Sequence, residues 1–495
     1  MSNWHIQYDA VAVGADKATT ITASNPTEFS NLKRVPFGAQ DDEYITLELN
    51  NWVLDGTYIP LPINAESLGF WSKTLSNESG SFGTHPVLTA TLSDKFSSEG
   101  IQLEFSNALN DFASGINIQW FGDDTELANQ NFEPNSATFF CAQSVVLYNK
   151  VVVEFFGTAK PFRRIKLAQL AYGRFVSFDQ SDCISIKILQ ELSPLSTTLP
   201  ESKLNFEINT GQNVSFMFQE KQPVRVFLEN EILGSFFIKS AKQTSKYRYS
   251  IEAEDAIGVL SDIPYTQKMY ETDTKAKDIV SNILGSEFFL EWSNDIEAET
   301  VKGLISAKNA REAIQQICFA IGAVCHTDFS SGIVIEKLKK DIAIDIPNNR
   351  IYAGNSVEKS AVLTSLNVYS HQYTETQDAN APDVIKVGEK YYKHSTEVNP
   401  IANKNVADSA KRNVFEIKDA TLVNADNVQS LSNRVFNFLL KTNTHNLKFK
   451  RTSANERLGA FVSAQTPFDE TAQGFLEHAE IELSGIVAIN GKYVF

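Results

Sequence analysis

From Tyr247 to Glu254 the chain alternates without a break. Tyr247, Tyr249, Ile251 and Ala253 fall on one side, and Arg248, Ser250, Glu252 and Glu254 on the other. A period of two is the mark of a β-strand with one packed face and one wet face. Shorter pieces of the same pattern precede it: Leu204-Phe206-Ile208, Val214-Phe216-Phe218, Val224-Val226-Leu228 and Phe236-Ile238, with Asn230 and Gly234 as turns. Such a run of short strands predicts a small barrel. The chain holds 34 Phe but 3 Met, a bias toward pleated, half-buried surfaces that extends the β reading to most of the molecule.

At 495 residues the chain exceeds what one hydrophobic core can serve, so several domains are expected. Residues 1–55 contain short alternating pieces such as Tyr44 to Leu49 and are read as strands contributing to the main body. Residues 56–180 open with a Gly/Pro/Ser/Asn-rich stretch around Phe70-Trp71. They continue as regularly spaced strands (Leu88–Leu92, Ile101–Phe105, Ile116–Trp120, Val151–Phe155, Ile165–Leu170) split by turns at Ser98-Glu99-Gly100 and Gly122-Asp123-Asp124. That spacing predicts a β-sandwich, with the basic residues of Phe162–Leu167 pointing outward.

Residues 181–265 are the small barrel, and residues 266–345 switch to a helical period. Ala276, Ile279, Val280, Ile283 and Leu284 share a face before Gly285. Asn309 and Glu312 form a capping-box pattern ahead of a stripe ending at Ile321-Gly322. A hairpin over 323–336 follows. Residues 346–495 return to strands with one helix near 425–440, giving a mainly β chain with α+β parts.

Composition limits function. With 44 Lys+Arg against 60 Asp+Glu the net charge is −16, which disfavours gripping of nucleic acid or anionic lipid. The amino terminus shows no secretion signal, and no apolar run is long enough to span a bilayer. Cys141, Cys183, Cys318 and Cys325 are too sparse for a disulfide scaffold. No histidine sits in a metal or nucleophile motif. Cys325-His326 are neighbours on a strand, so their side chains point apart and cannot act as nucleophile and base. Cys318 and Cys325 read as buried thiols, with zinc binding as the alternative.

Carboxylates cluster at Asp41-Asp42-Glu43 and at Glu252/Glu254; the latter pair reads as a solvated edge, with glycosidase work as the alternative. Asp123-Asp124 reads as a turn, with a calcium loop as the alternative. No catalytic residue, cofactor or metal site is assigned. The aromatics Phe70, Trp71 and Trp120, with Trp52 and Tyr58 nearby, could form a protein interface, fill a core, or stack on a sugar.

Three phrases carry a family resemblance. Leu233-Gly234-Ser235-Phe236-Phe237-Ile238 leads to Tyr249–Gly258, and Ala310-Arg311-Glu312-Ala313-Ile314-Gln315-Gln316-Ile317 follows. Over about 180–345 the chain resembles bacteriophage tail baseplate hub proteins, including the amino-terminal parts of tail-associated lysins. Gly69-Phe70-Trp71-Ser72, Ser98-Glu99-Gly100-Ile101 and Pro161–Lys166 are similar to a galactose-binding-type jelly-roll inserted in clostridial-type prophage tail proteins.

The resemblance implies a non-enzymatic homotrimer whose copies each present two related β-barrels, in a virion tail baseplate assembled in the host bacterial cytoplasm. It implies a tail tube or distal tail protein, a tape measure protein and a spike or lysin as partners, DNA passing through the lumen, and no membrane. Three copies would carry 3 × −16 = −48. The alternative is an adhesin that grips cell-wall glycan through the sandwich.

Overall fold

A computed structural model describes residues 4–39, 44–46, 48, 55–60, 68–211, 217–229, 231–285, 287–327, 332–340, 344–407, 411–452, 455–465, 471–483 and 487–494. It is mainly β, in several sheets, with helices α1 (Ala256–Val259), α2 (Ala276–Leu284), α3 (Ala310–Ile321) and α4 (Val428–Leu439). The chain divides into two compact units. One comprises Gln7–Ser177 with Gln212–Pro223; the other comprises Met1–Ile6, Phe178–Gly211 and Val224–Phe495.

The first unit is built on a seven-stranded sheet in the order Phe70–Trp71, Lys166–Ala171, Val87–Phe105, Thr138–Thr158, Ala113–Gly122, Thr125–Phe132, with Thr19–Ala23 also paired to Val87–Phe105. Its core takes the inward face of each long strand: Ile101, Leu103 and Phe105; Ile116, Ile118 and Trp120; Val151, Val153 and Phe155. Two expectations change here. The segments Leu88–Leu92 and Ile101–Phe105 are one 19-residue strand, and Ser98-Glu99-Gly100 is a bulged bend within it, not a turn. A bulge lets a long strand curve around a core. It requires glycine at 100, where a Cβ would run into the carbonyl oxygen of Cys141. Residues 19–23 pair with Leu88–Leu92, so they belong to this sheet rather than to the hub-type body expected to take residues 1–55.

In the second unit the alternating segment is the strand Arg248–Glu254, with Ile251 and Ala253 buried and Arg248, Ser250 and Glu252 exposed. Its neighbours run Pro223–Leu228, Glu231–Ser245, Arg248–Glu254, Lys203–Asn209, Cys183–Glu191. The sheet then continues, without interruption, into Thr471–Leu483, Val487–Val494, Asn443–Lys450 and Ser356–Lys359. Residues 181–265 and 346–495 are therefore joined edge to edge. The joint is antiparallel, from Lys187 opposite Glu482 to Glu191 opposite His478. The expected strand 214–218 falls mostly outside the described residues; Phe218 itself is buried, with a positive φ of 58°.

Between these blocks lies the α/β part. α3 begins where Asn309 accepts a hydrogen bond from the Glu312 backbone N–H at 2.9 Å. The Glu312 carboxylate in turn accepts from the Lys308 N–H at 2.9 Å, one residue ahead of the reciprocal bond that a capping box makes. Ala310, Ala313, Ile314 and Ile317 are buried, and Gly322 ends the helix at φ +76°, in the left-handed region. α2 buries Ala276, Ile279, Val280 and Leu284 in the same core. A four-stranded sheet, Val384–Val387, Lys390–Ala402, Ser365–Thr376, Val414–Ile417, packs with α4.

Candidate functional site

In the first unit, the segment expected to face its basic residues outward buries two of them, Arg163 and Lys166, along with Ile165 and Leu167. Lys166 is buried, and its Nζ donates to Glu48 Oε1 at 2.8 Å and to Asp111 Oδ2 at 2.7 Å. Arg163 Nε lies 3.5 Å from Asp111 Oδ1. The alternation rule fails because opposite charges arrive from two other loops, and a desolvated cation is tolerated only where such partners meet it. The Trp71 ring lies 5.4 Å from the Lys166 ammonium, with Phe29 and Tyr44 against its edges.

The three aromatics singled out in the sequence are all interior. Phe70 and Trp120 are fully buried, and Trp71 is 5% exposed. Phe70 stacks on Phe155, in a core that also holds Trp120. Their faces are spent on packing and are not laid out as a platform. Trp52 lies outside the described residues.

The Gly122-Asp123-Asp124 turn is a tight hairpin, with φ of 48° at Asp123 and 66° at Asp124. Two successive positive φ values are the type I′ geometry that matches strand twist. Lys95 pairs with Asp123, and Lys150 Nζ lies 3.2 Å from Asp124. Both carboxylates thus face lysines, which does not suit a calcium loop.

In the second unit, Asp255 is the buried acid that ties elements together. It caps α1, accepting from the Gly258 N–H at 3.2 Å, and also accepts from the Ser202 N–H at 3.0 Å and the Thr327 hydroxyl at 3.2 Å. Burial pushes its carboxyl up to about 6, against the pull of those donors. The expected solvated edge is not what forms: Glu252 is exposed but Glu254 is buried and paired with Lys239, and their strand runs between Glu231–Ser245 and Lys203–Asn209 inside the sheet.

Cys318 on α3 and Cys325 on the next strand are brought together. Both are buried, and hydrogen bonding between them with burial raises the Cys325 thiol well above its ordinary value. His326 points away, to Glu336 Oε1 at 3.0 Å. Among the described residues no three histidine, cysteine or carboxylate side chains meet as a metal cluster.

One cluster has no sequence signal. His371 and His394, 23 residues apart, lie on neighbouring antiparallel strands, where Tyr373 sits directly opposite His394. His371 Nδ1 is 2.9 Å from His394 Nε2, and the rings are parallel within 2°. Burial, helped by the charge of His394, holds His371 below its ordinary value. His371 and Tyr373 line a groove of about 810 Å³ that also reaches Glu271 and Tyr392. Tyr392 donates to Glu271 at 2.7 Å. Only the strand register, invisible in the linear sequence, makes these side chains neighbours.

No known family profile matches the sequence, and no curated protein matches it. Solved structures do. The chain is similar to the tail protein from Neisseria meningitidis MC58, at 10% identity and TM-score 0.48, covering 65% of this chain and 94% of that one. It is similar to the prophage tail protein gp18 from Listeria monocytogenes EGD-e, at 10% identity and TM-score 0.41, covering 64% and 91%. It is also similar to the family 32 carbohydrate-binding module of NanJ from C. perfringens, solved with galactose, at 14% identity and TM-score 0.22, covering 34% and 98%.

Proposed function

We propose that this chain is a structural hub of a phage tail or tail-like particle, acting by shape and making or breaking no bond. The observation that supports it most is the fusion of the 181–265 and 346–495 blocks into one sheet through Lys187–Glu191 and His478–Glu482. A chain that carries two β blocks in one body can supply six blocks from three copies, which is what an adaptor between a sixfold tube and a threefold spike or lysin needs. The phrases at 233–238, 249–258 and 310–317 that resemble hub proteins fall in the first block and the α/β part. Three copies at −16 each make a ring of −48, a charge that suits a lumen through which DNA slides without sticking. Obligate contacts of this kind bury more than about 2,000 Å² each. The tube or distal tail protein, the tape measure protein and the spike or lysin are the partners in this reading.

The test is negative-stain imaging of the chain co-expressed with the tube and spike proteins of its own gene neighbourhood. Rings with a central opening are expected; isolated particles that ignore both partners would overturn the reading.

A further inference from the structure

The C-terminal end of α3 borders a cleft of about 630 Å³ in which, among the described residues, four cations, Lys337, Lys340, Arg434 and Lys441, meet a single carboxylate, Glu299. For a chain of net charge −16 this is a reversal of the general surface. Glu299 is already engaged, accepting from Lys337 Nζ at 2.8 Å. Arg434, on α4, reaches across α3: its Nη2 donates to the Phe319 carbonyl, and its guanidinium lies 5.8 Å from the Phe319 ring. A cation at the carbonyl end of a helix is favourable. It leaves the Arg434 Nε buried with no hydrogen-bond partner, and among the described residues no carboxylate lies in ion-pair range of this guanidinium. Burial lowers its pKa to about 10, against the opposing charge of Glu299. The guanidinium packs against Gly322, where a Cβ would run into it.

Lys441 sits 5.4 Å from the Phe438 ring, and burial with the facing Lys340 holds it below its ordinary value. Glu477, which also faces Lys441, offers little compensation, because burial raises its carboxyl to about 7. Cations gathered along one cleft with little compensating negative charge are stabilised by an oxyanion that pairs with them.

We propose that this cleft is an oxyanion site that takes a carboxylate side chain from an acidic segment of a neighbouring protein chain, held between Arg434 and Lys441. Charge complementarity names the occupant: a guanidinium and the neighbouring lysines repel a basic segment and steer an acidic one. The site does not depend on the hub reading and is tested separately from it.

The experiment titrates the full chain by calorimetry with a hexaglutamate peptide, a hexalysine control and inorganic phosphate, at two salt concentrations. Hexaglutamate binds, hexalysine does not, and binding weakens as salt rises. The exposed substitution Lys340→Gln together with Lys441→Gln lowers the peptide affinity by about tenfold or more, and Arg434→Lys, which keeps the charge but loses the planar fork, lowers it as well. Thermal melts confirm that each variant is folded. Absence of peptide binding, or binding unchanged in the Lys340→Gln/Lys441→Gln variant, overturns the site. Phosphate binding that these variants abolish, without peptide binding, overturns the protein-chain source.

Discussion

Ile188 lies directly opposite Ile481 in the strand pair that joins the two β blocks, and both side chains are buried. Directly opposed residues in antiparallel strands share a face, so these two isoleucines pack on each other at the joint. Ile188→Ala and Ile481→Ala should each cost about 2–5 kcal/mol, as for other buried isoleucines. The double variant should cost less than the sum, because the two share one contact. Urea unfolding followed by circular dichroism checks this; strict additivity would mean that the joint is not held by this pair.

Lys166 gives the second prediction. Lys166→Met strips the cation from Glu48 and Asp111 and should destabilise the first unit by about 3–5 kcal/mol, the usual result of orphaning a buried charge. The triple variant Lys166→Met, Glu48→Gln, Asp111→Asn should recover part of the loss. Thermal or chemical denaturation reads both. A single variant as stable as the parent would show that the cluster is dispensable.

Asp255 makes stability depend on pH. Its folded carboxyl titrates near 6, against an ordinary value of about 3.9 in the unfolded chain. Between those values the folded state holds a proton that the unfolded state has lost. The contribution of this group therefore falls as pH rises through the window. The whole effect is about 3 kcal/mol. Asp255→Asn removes it, so the stability of the parent minus that of the variant should drop by about that amount from pH 4 to pH 7. Parallel curves would contradict the assignment.

Strands whose two faces differ were plain in the sequence. Arg248–Glu254 stands where the period-two pattern put it, and α2 and α3 end at their glycines. What stayed hidden depends on contacts between distant segments. Lys166 looked like a surface lysine because its two carboxylates come from residues 48 and 111. Trp71 and Trp120 could be interface, core or sugar-stacking aromatics on sequence alone, because nothing local shows that the long bulged strands curl around them. The shared sheet was illegible for the same reason, since about 290 residues separate Ile188 from Ile481 and pairing at that range leaves no periodic trace.

The central claim is that the molecule works as a closed assembly. Native mass spectrometry of the chain co-expressed with the tube and spike proteins of its gene neighbourhood tests this most directly. Three copies of a 55.1 kDa chain give a core of about 165 kDa (3 × 55.1), and that stoichiometry is the predicted result. A single 55.1 kDa species that stays alone at high concentration with both partners present would contradict the account.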